Sequence, residues 1–201
     1  MQSKNDRNIF KIAIFSIVFF SLINGIAFSQ IVTDRDLWQQ IQGYGNASTE
    51  DRAALKSCYA QLSTLFPNSS ILDQALYFYS QYWERKGLQN DAVKLCKRII
   101  NTYPNSSYVY PAYLDIMRIY QDRENKTGLT QIYTDFKAYT AKYLQYPELT
   151  IENKADVYLQ LGYYAQVLKQ PQTAQKAFIQ AYQLAPNTKS GRQALYYTGL
   201  S

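Results

Sequence analysis

Between residues 53 and 184 the apolar positions recur every three or four residues, the period of a helix that buries one face. In 53–66, Ala54, Leu55, Cys58, Tyr59, Leu62, Leu65 and Phe66 share one stripe. In 91–103, Ala92, Val93, Leu95, Cys96, Ile99, Ile100 and Tyr103 do the same, after the turn Gly87 to Asn90. In 172–184, Ala174, Ala177, Phe178, Ala181 and Leu184 line up. Pro171 suits the first position of that helix, where a missing N–H costs nothing. Ser48 and Thr49 are capping residues ahead of the first stripe, and Glu50 and Asp51 face its positive end.

The stripes belong to a longer repeat. Phe66-Pro67-Asn68-Ser69, Tyr103-Pro104-Asn105-Ser106, Tyr146-Pro147-Glu148-Leu149 and Ala185-Pro186-Asn187-Thr188 match one another. Their prolines lie 37, 43 and 39 residues apart, and Ala75, Ala112, Ala155 and Ala194 each follow eight residues later. A period of about 40 residues predicts stacked helical hairpins. Each proline should end its helix, because it donates no backbone hydrogen bond and clashes with the preceding turn. The extra residues of the 43-residue interval fall either in the turn Asp122 to Gly128 or in a longer second helix ending at Tyr146.

Residues 1–29 have a different pattern and read as an export signal. Lys4, Arg7 and Lys11 precede an apolar run from Ile12 to Phe28, and Ala27 and Ser29 are small residues placed for cleavage before Gln30. The expected product is periplasmic or extracellular. If cleavage fails, the same segment is a membrane anchor, since the run is close to the length that spans a bilayer. No Cys lies near the site, so a lipid anchor is not expected. Cleavage removes three positive charges and one negative charge, which takes the net charge from +6 to +4. No Lys/Arg block concentrates that excess, so no nucleic-acid partner is expected.

The hairpin pattern resembles the tetratricopeptide repeat, whose helices carry W-x2-L-G-x2-Y, A-x3-F and a closing P. Residues 155–188 have Tyr158, Leu161, Gly162, Ala165, Ala174, Phe178, Ala181 and Pro186 at those spacings. Residues 73–106 fit through Leu76, Tyr79, Ser80, Trp83, Ala92, Cys96, Ile99 and Pro104. Residues 36–69 keep Gly43, Tyr59, Leu62 and Pro67; residues 110–149 depart most, with Met117 at a small-residue position. The [FY]-P-N-S-S endings are similar to those of extracytoplasmic, bacterial-envelope members. The resemblance implies an all-α, right-handed superhelix of antiparallel hairpins over residues 30–201, closed by a solvating helix at 190–200. It also implies a concave groove lined by first helices. Carried over position by position, that groove is Tyr77, Gln81, Glu84 and Arg85; then Leu114, Arg118, Gln121 and Asp122; then Leu159, Tyr163, Gln166 and Val167. Tyr77 and Gln81 replace the first members of the family's carboxylate clamp, so an acidic C-terminal tail is not the implied ligand.

Composition narrows the chemistry. The 201 residues include no His, which removes the usual general base and the commonest metal ligand. No phosphate loop and no dense Cys or carboxylate cluster occurs. Glu50/Asp51 and Asp122/Glu124 are explained by capping and turns. No enzyme activity, cofactor or metal is expected. Tyrosine is abundant at 20 copies, with Tyr59, Tyr79, Tyr113, Tyr158 and Tyr182 at packing positions. The rest offer amphipathic contact surface. The expected partner is a protein or peptide in the groove; the alternative is a glycan stacked on exposed tyrosines. Cys58 and Cys96 occupy related positions, and export leaves a disulfide between them open. Packed helix axes about 8–10 Å apart, against Cα atoms within about 7 Å for a disulfide, argue against it. Four Asn-x-Ser/Thr triplets, at Asn46, Asn68, Asn105 and Asn125, fall in turns, where turn and cap chemistry accounts for them.

Overall fold

The computed structural model of the protein describes residues 32–46 and 52–199. The export signal and the Ser48–Asp51 cap lie outside them. Nine helices and no strand occur among the described residues: α1 (Asp34–Asn46), α2 (Arg52–Leu65), α3 (Leu72–Arg85), α4 (Gln89–Thr102), α5 (Val109–Asp122), α6 (Lys126–Tyr143), α7 (Ile151–Val167), α8 (Pro171–Leu184) and α9 (Lys189–Thr198). None of the described helices is long and apolar enough to cross a membrane. Consecutive helices pack on one another, an α-solenoid type of arrangement. The chain divides into two compact units, one ending at Leu95 and one starting at Cys96.

The repeated sequence positions share similar local surroundings. Ala75, Ala112, Ala155 and Ala194 are all 0% exposed. Each sits in the first two turns of its helix and faces the packed interior. The prolines end helices as expected: α2, α4, α6 and α8 stop at Leu65, Thr102, Tyr143 and Leu184, ahead of Pro67, Pro104, Pro147 and Pro186. The polar residue after each Pro-Asn shapes the next start. Ser69 Oγ accepts from Ile71 N, Ser106 Oγ from Tyr108 N, and Thr188 Oγ1 from Gly191 N. Thr150 caps α7 and Asn125 caps α6 in the same way. The turn-and-cap reading of the Asn68, Asn105 and Asn125 triplets therefore has a structural basis.

The turns inside hairpins also share one closure. Leu88 N bonds Trp83 O, Asn125 N bonds Tyr120 O, and Gln170 N bonds Ala165 O, each five residues back. Gly87, Glu124 and Lys169 sit in these turns with φ of 73°, 53° and 58°. This is the left-handed cap that satisfies the last helical carbonyls. The alternative left open for the 43-residue interval resolves in favour of the helix. The α5–α6 turn is short, and α6 runs to 18 residues where α2, α4 and α8 have 14.

In the first unit, α1 packs on α2 and α3. Its core holds Leu37, Ile41, Leu55, Leu62, Leu76 and Tyr82. Ser69 Oγ donates to Asp34 Oδ2 at 2.6 Å and ties the α2–α3 turn to the start of α1. In the second unit, α7 is central, packing on α6, α8 and α9. Gly162 of α7 lets the ring of Phe178 lie against the helix, and Phe178 in turn stacks on Tyr197 of α9. Tyr110 Oη donates to Asp156 Oδ2 at 2.9 Å, and Tyr133 Oη to the Leu161 carbonyl at 3.0 Å.

Three expectations need correction. Leu184 is 40% exposed and leaves the apolar stripe of its helix, as the chain turns toward Pro186. Tyr158 and Tyr182 are only half-buried, while Tyr82, Tyr133 and Tyr164 are the deeply buried tyrosines that the spacing did not single out. The end helix α9 is not simply solvating: Leu195 and Tyr196 are 49% and 66% exposed.

Candidate functional site

The twelve groove positions fall into two groups, one in each compact unit. In the first unit Tyr77, Gln81 and Glu84 are half-buried and Arg85 is exposed. Arg85 Nη2 donates to the Gly45 carbonyl at 3.4 Å. The guanidinium thus covers the negative end of α1, a structural task. In the second unit Gln121 Nε2 donates to Tyr163 Oη at 2.9 Å and joins α5 to α7. Arg118 stands beside them, 46% exposed, with Nη2 3.0 Å from Asp115 Oδ1. Asp122 is exposed; Leu114, Gln166 and Val167 are half-buried. Leu159 is only 4% exposed and does not line an open surface. The family pattern placed it on the groove, but α7 is packed by three neighbouring helices and that part of its face is covered.

Cys58 and Cys96 are both buried thiols. Cys58 Sγ donates to Gln40 Oε1 at 3.5 Å. Burial on the apolar stripes suits free Cys, which packs as a small hydrophobe. The Cys58–Cys96 bond is not formed in this structure.

A second feature was not read from the sequence. The second unit contains a cleft of about 650 Å³ between the last turns of α4, the α4–α5 turn and α6. Tyr113 and Ile132 are buried at its floor, with Tyr139 and Tyr143 half-buried beside them. Tyr146, 44% exposed, stands at one end. Lys97, Asn101 and Asn105 form the wall from the α4 side, and Asp135 and Lys142 that from α6. All five are exposed.

The tyrosines are ordered by each other. Tyr143 stacks on Tyr110 at 5.4 Å and 11°, and on Tyr139 at 5.3 Å and 21°. Tyr139 leans on Tyr113 at 5.2 Å. Tyr146 meets Tyr143 edge-on at 81°. Burial pushes the Tyr139 hydroxyl well above its usual range, and the phenols of Tyr143, Tyr146 and Tyr113 push it further. Burial raises Tyr113 and Tyr143 too, with Asp135 adding to the first and Asp156 to the second. These phenols stay protonated at neutral pH and can donate hydrogen bonds. The signal was present as Tyr139, Tyr143 and Tyr146 at helical spacing, a pattern indistinguishable from ordinary core packing without α4 beside it.

Among the described residues no group of three or more His, Cys, Asp or Glu could hold a metal ion. The fold and these surfaces define an all-helical chain of α-solenoid type. No protein-family model, no curated protein and no solved structure matches it.

Proposed function

We propose that the chain is an exported, non-catalytic interaction scaffold of the cell envelope, built of tetratricopeptide-type hairpins. It takes a segment of a partner protein along its first helices. The observation that carries this reading is the Gln121–Tyr163 hydrogen bond. It fixes the α5 and α7 surfaces to each other and leaves Arg118 and Asp122 exposed beside it. Such a surface is ordered before the partner arrives, so a docking segment loses little more than its own freedom. The repeat type is supported by the four buried alanines and by the Gly162–Phe178 contact. Export is supported by the charged, apolar and small-residue order of residues 1–29, and the non-catalytic role by the lack of His.

The test is crosslinking in cells with the full chain, beside Arg118→Glu. Asp115 is only 15% exposed and would face a second carboxylate in the reversal, so Arg118→Gln is run beside it and circular dichroism checks that both variants are folded. A partner captured by the parent and lost from the variants supports the groove. Equal capture by parent and variants removes it. Arg85 is a poorer probe, because Arg85→Glu places a negative charge on the carboxyl end of α1. The same sample reports the N-terminus: Gln30 as first residue supports cleavage, and Met1 leaves the segment as an anchor.

A further inference from the structure

We propose that the cleft between α4 and α6 in the second unit binds an acidic saccharide. The site is distinct from the first-helix surface and is built from different residues. Its walls are the last turns of α4, the α4–α5 turn and α6, so no strand edge is present for a peptide to extend and side chains carry most of the recognition. What the side chains offer is a set of protonated phenols, two amides from Asn101 and Asn105, and two ammonium groups against one carboxylate. Phenols, amides and ammonium groups answer to hydroxyl and carboxylate oxygens. A sugar presents these at every ring position.

Tyr110, Tyr143 and Tyr139 occupy each other's faces in a near-parallel column. Tyr146 stands perpendicular to Tyr143 with 44% of its surface open, and is the exposed aromatic residue of the cleft on which a pyranose can stack. Charge selects the acidic form: Lys97 and Lys142 exceed Asp135 by one positive charge. Lys97 is held with its ammonium 5.8 Å from the Tyr120 ring centroid, while Lys142 is exposed on the last turn of α6. The cleft volume of about 650 Å³ is ordinary for a small-ligand site.

The experiment is calorimetric titration of the full mature chain with four probes. These are an oligomer of galacturonic acid, a sulfated oligosaccharide, a neutral galactose oligomer and a glutamate hexapeptide. The expected result is that at least one acidic saccharide binds, that the neutral sugar binds more weakly, and that the peptide does not bind. Tyr146→Ala should weaken saccharide binding by about tenfold through the lost ring face. Lys142→Gln should weaken it and flatten its dependence on salt. Both residues are exposed, and circular dichroism confirms that each variant is folded. Arg118→Glu should leave saccharide binding unchanged, which separates this site from the scaffold surface. The proposal is overturned if neither acidic saccharide binds, if the hexapeptide binds as tightly as the sugars, or if both cleft variants bind like the parent.

Discussion

Replacing Gly162 with alanine sets two opposite effects against each other in a way the structure can decide. Glycine in a helix interior costs about 1 kcal/mol relative to alanine, so Gly162→Ala gains that amount from α7 alone. The added Cβ, however, would lie 2.5 Å from Phe178 Cε1, 2.6 Å from Cδ1 and 3.1 Å from Cγ. Contact with Cγ means that the whole ring must move, not only its far edge. Phe178 is 0% exposed and is stacked on Tyr197 at 5.2 Å, so it has nowhere to go. Overpacking a closed site costs about 1–3 kcal/mol. The clash should win, leaving the variant about 1 kcal/mol less stable in urea unfolding followed by circular dichroism. A double-mutant cycle with Phe178→Leu isolates the cause. In the leucine background the alanine should cost less, or stabilise, because the obstructing ring is gone. A Gly162→Ala protein more stable than its parent, or a cycle with no coupling, would show that the close approach of α7 and α8 does not control this site.

Other outcomes follow from single observations. Tyr82 is 1% exposed and its Oη has no hydrogen-bond partner among the described residues, so Tyr82→Phe should raise stability by about 1 kcal/mol, read as a higher urea midpoint. Lys169 holds a φ of 58°, and Lys169→Gly should stabilise by up to about 1 kcal/mol, read as a higher Tm; a lower Tm would show that the left-handed cap carries no strain. Burial raises the hydroxyls of Tyr110, Tyr113, Tyr139, Tyr143 and Tyr164, and lifts Tyr133 from 10.0 to about 12. Above pH 10 the unfolded chain therefore releases protons that the folded chain keeps. Stability is complete below that pH and declines as pH rises from 10 toward 12, so phenolate absorbance and loss of helix should rise together; phenolate forming in a fully helical chain would refute the link.

The parts of the fold carried by repetition were legible in the chain. Four prolines with four alanines in phase gave the hairpins, because a helix end and a methyl-sized contact each depend on a residue type that few others replace. The parts that depend on a neighbour from elsewhere were not legible. Leu159 reads as a surface position on a lone helix, and its burial comes from the helices around α7. Arg85 reads as a free groove cation, and its bond to Gly45 depends on how α3 lies against α1. Tyr139 and Tyr143 fall among the tyrosines read only as general contact surface, and their place in a cleft depends on the end of α4 lying opposite them.

α6 is the longest helix among the described residues. It exceeds α2, α4 and α8 by four residues, close to one helical turn of 3.6. Lengthening by nearly a whole turn comes close to restoring the rotational phase at the end of the helix, and Ala155 in the next helix is buried like its counterparts. The surplus turn adds a contact of its own, Tyr143 on Tyr110 of α5. In a modular chain this is a place where new surface can be acquired without renegotiating the rest of the molecule. Lys142, Tyr143 and the approach to Tyr146 occupy that surplus length.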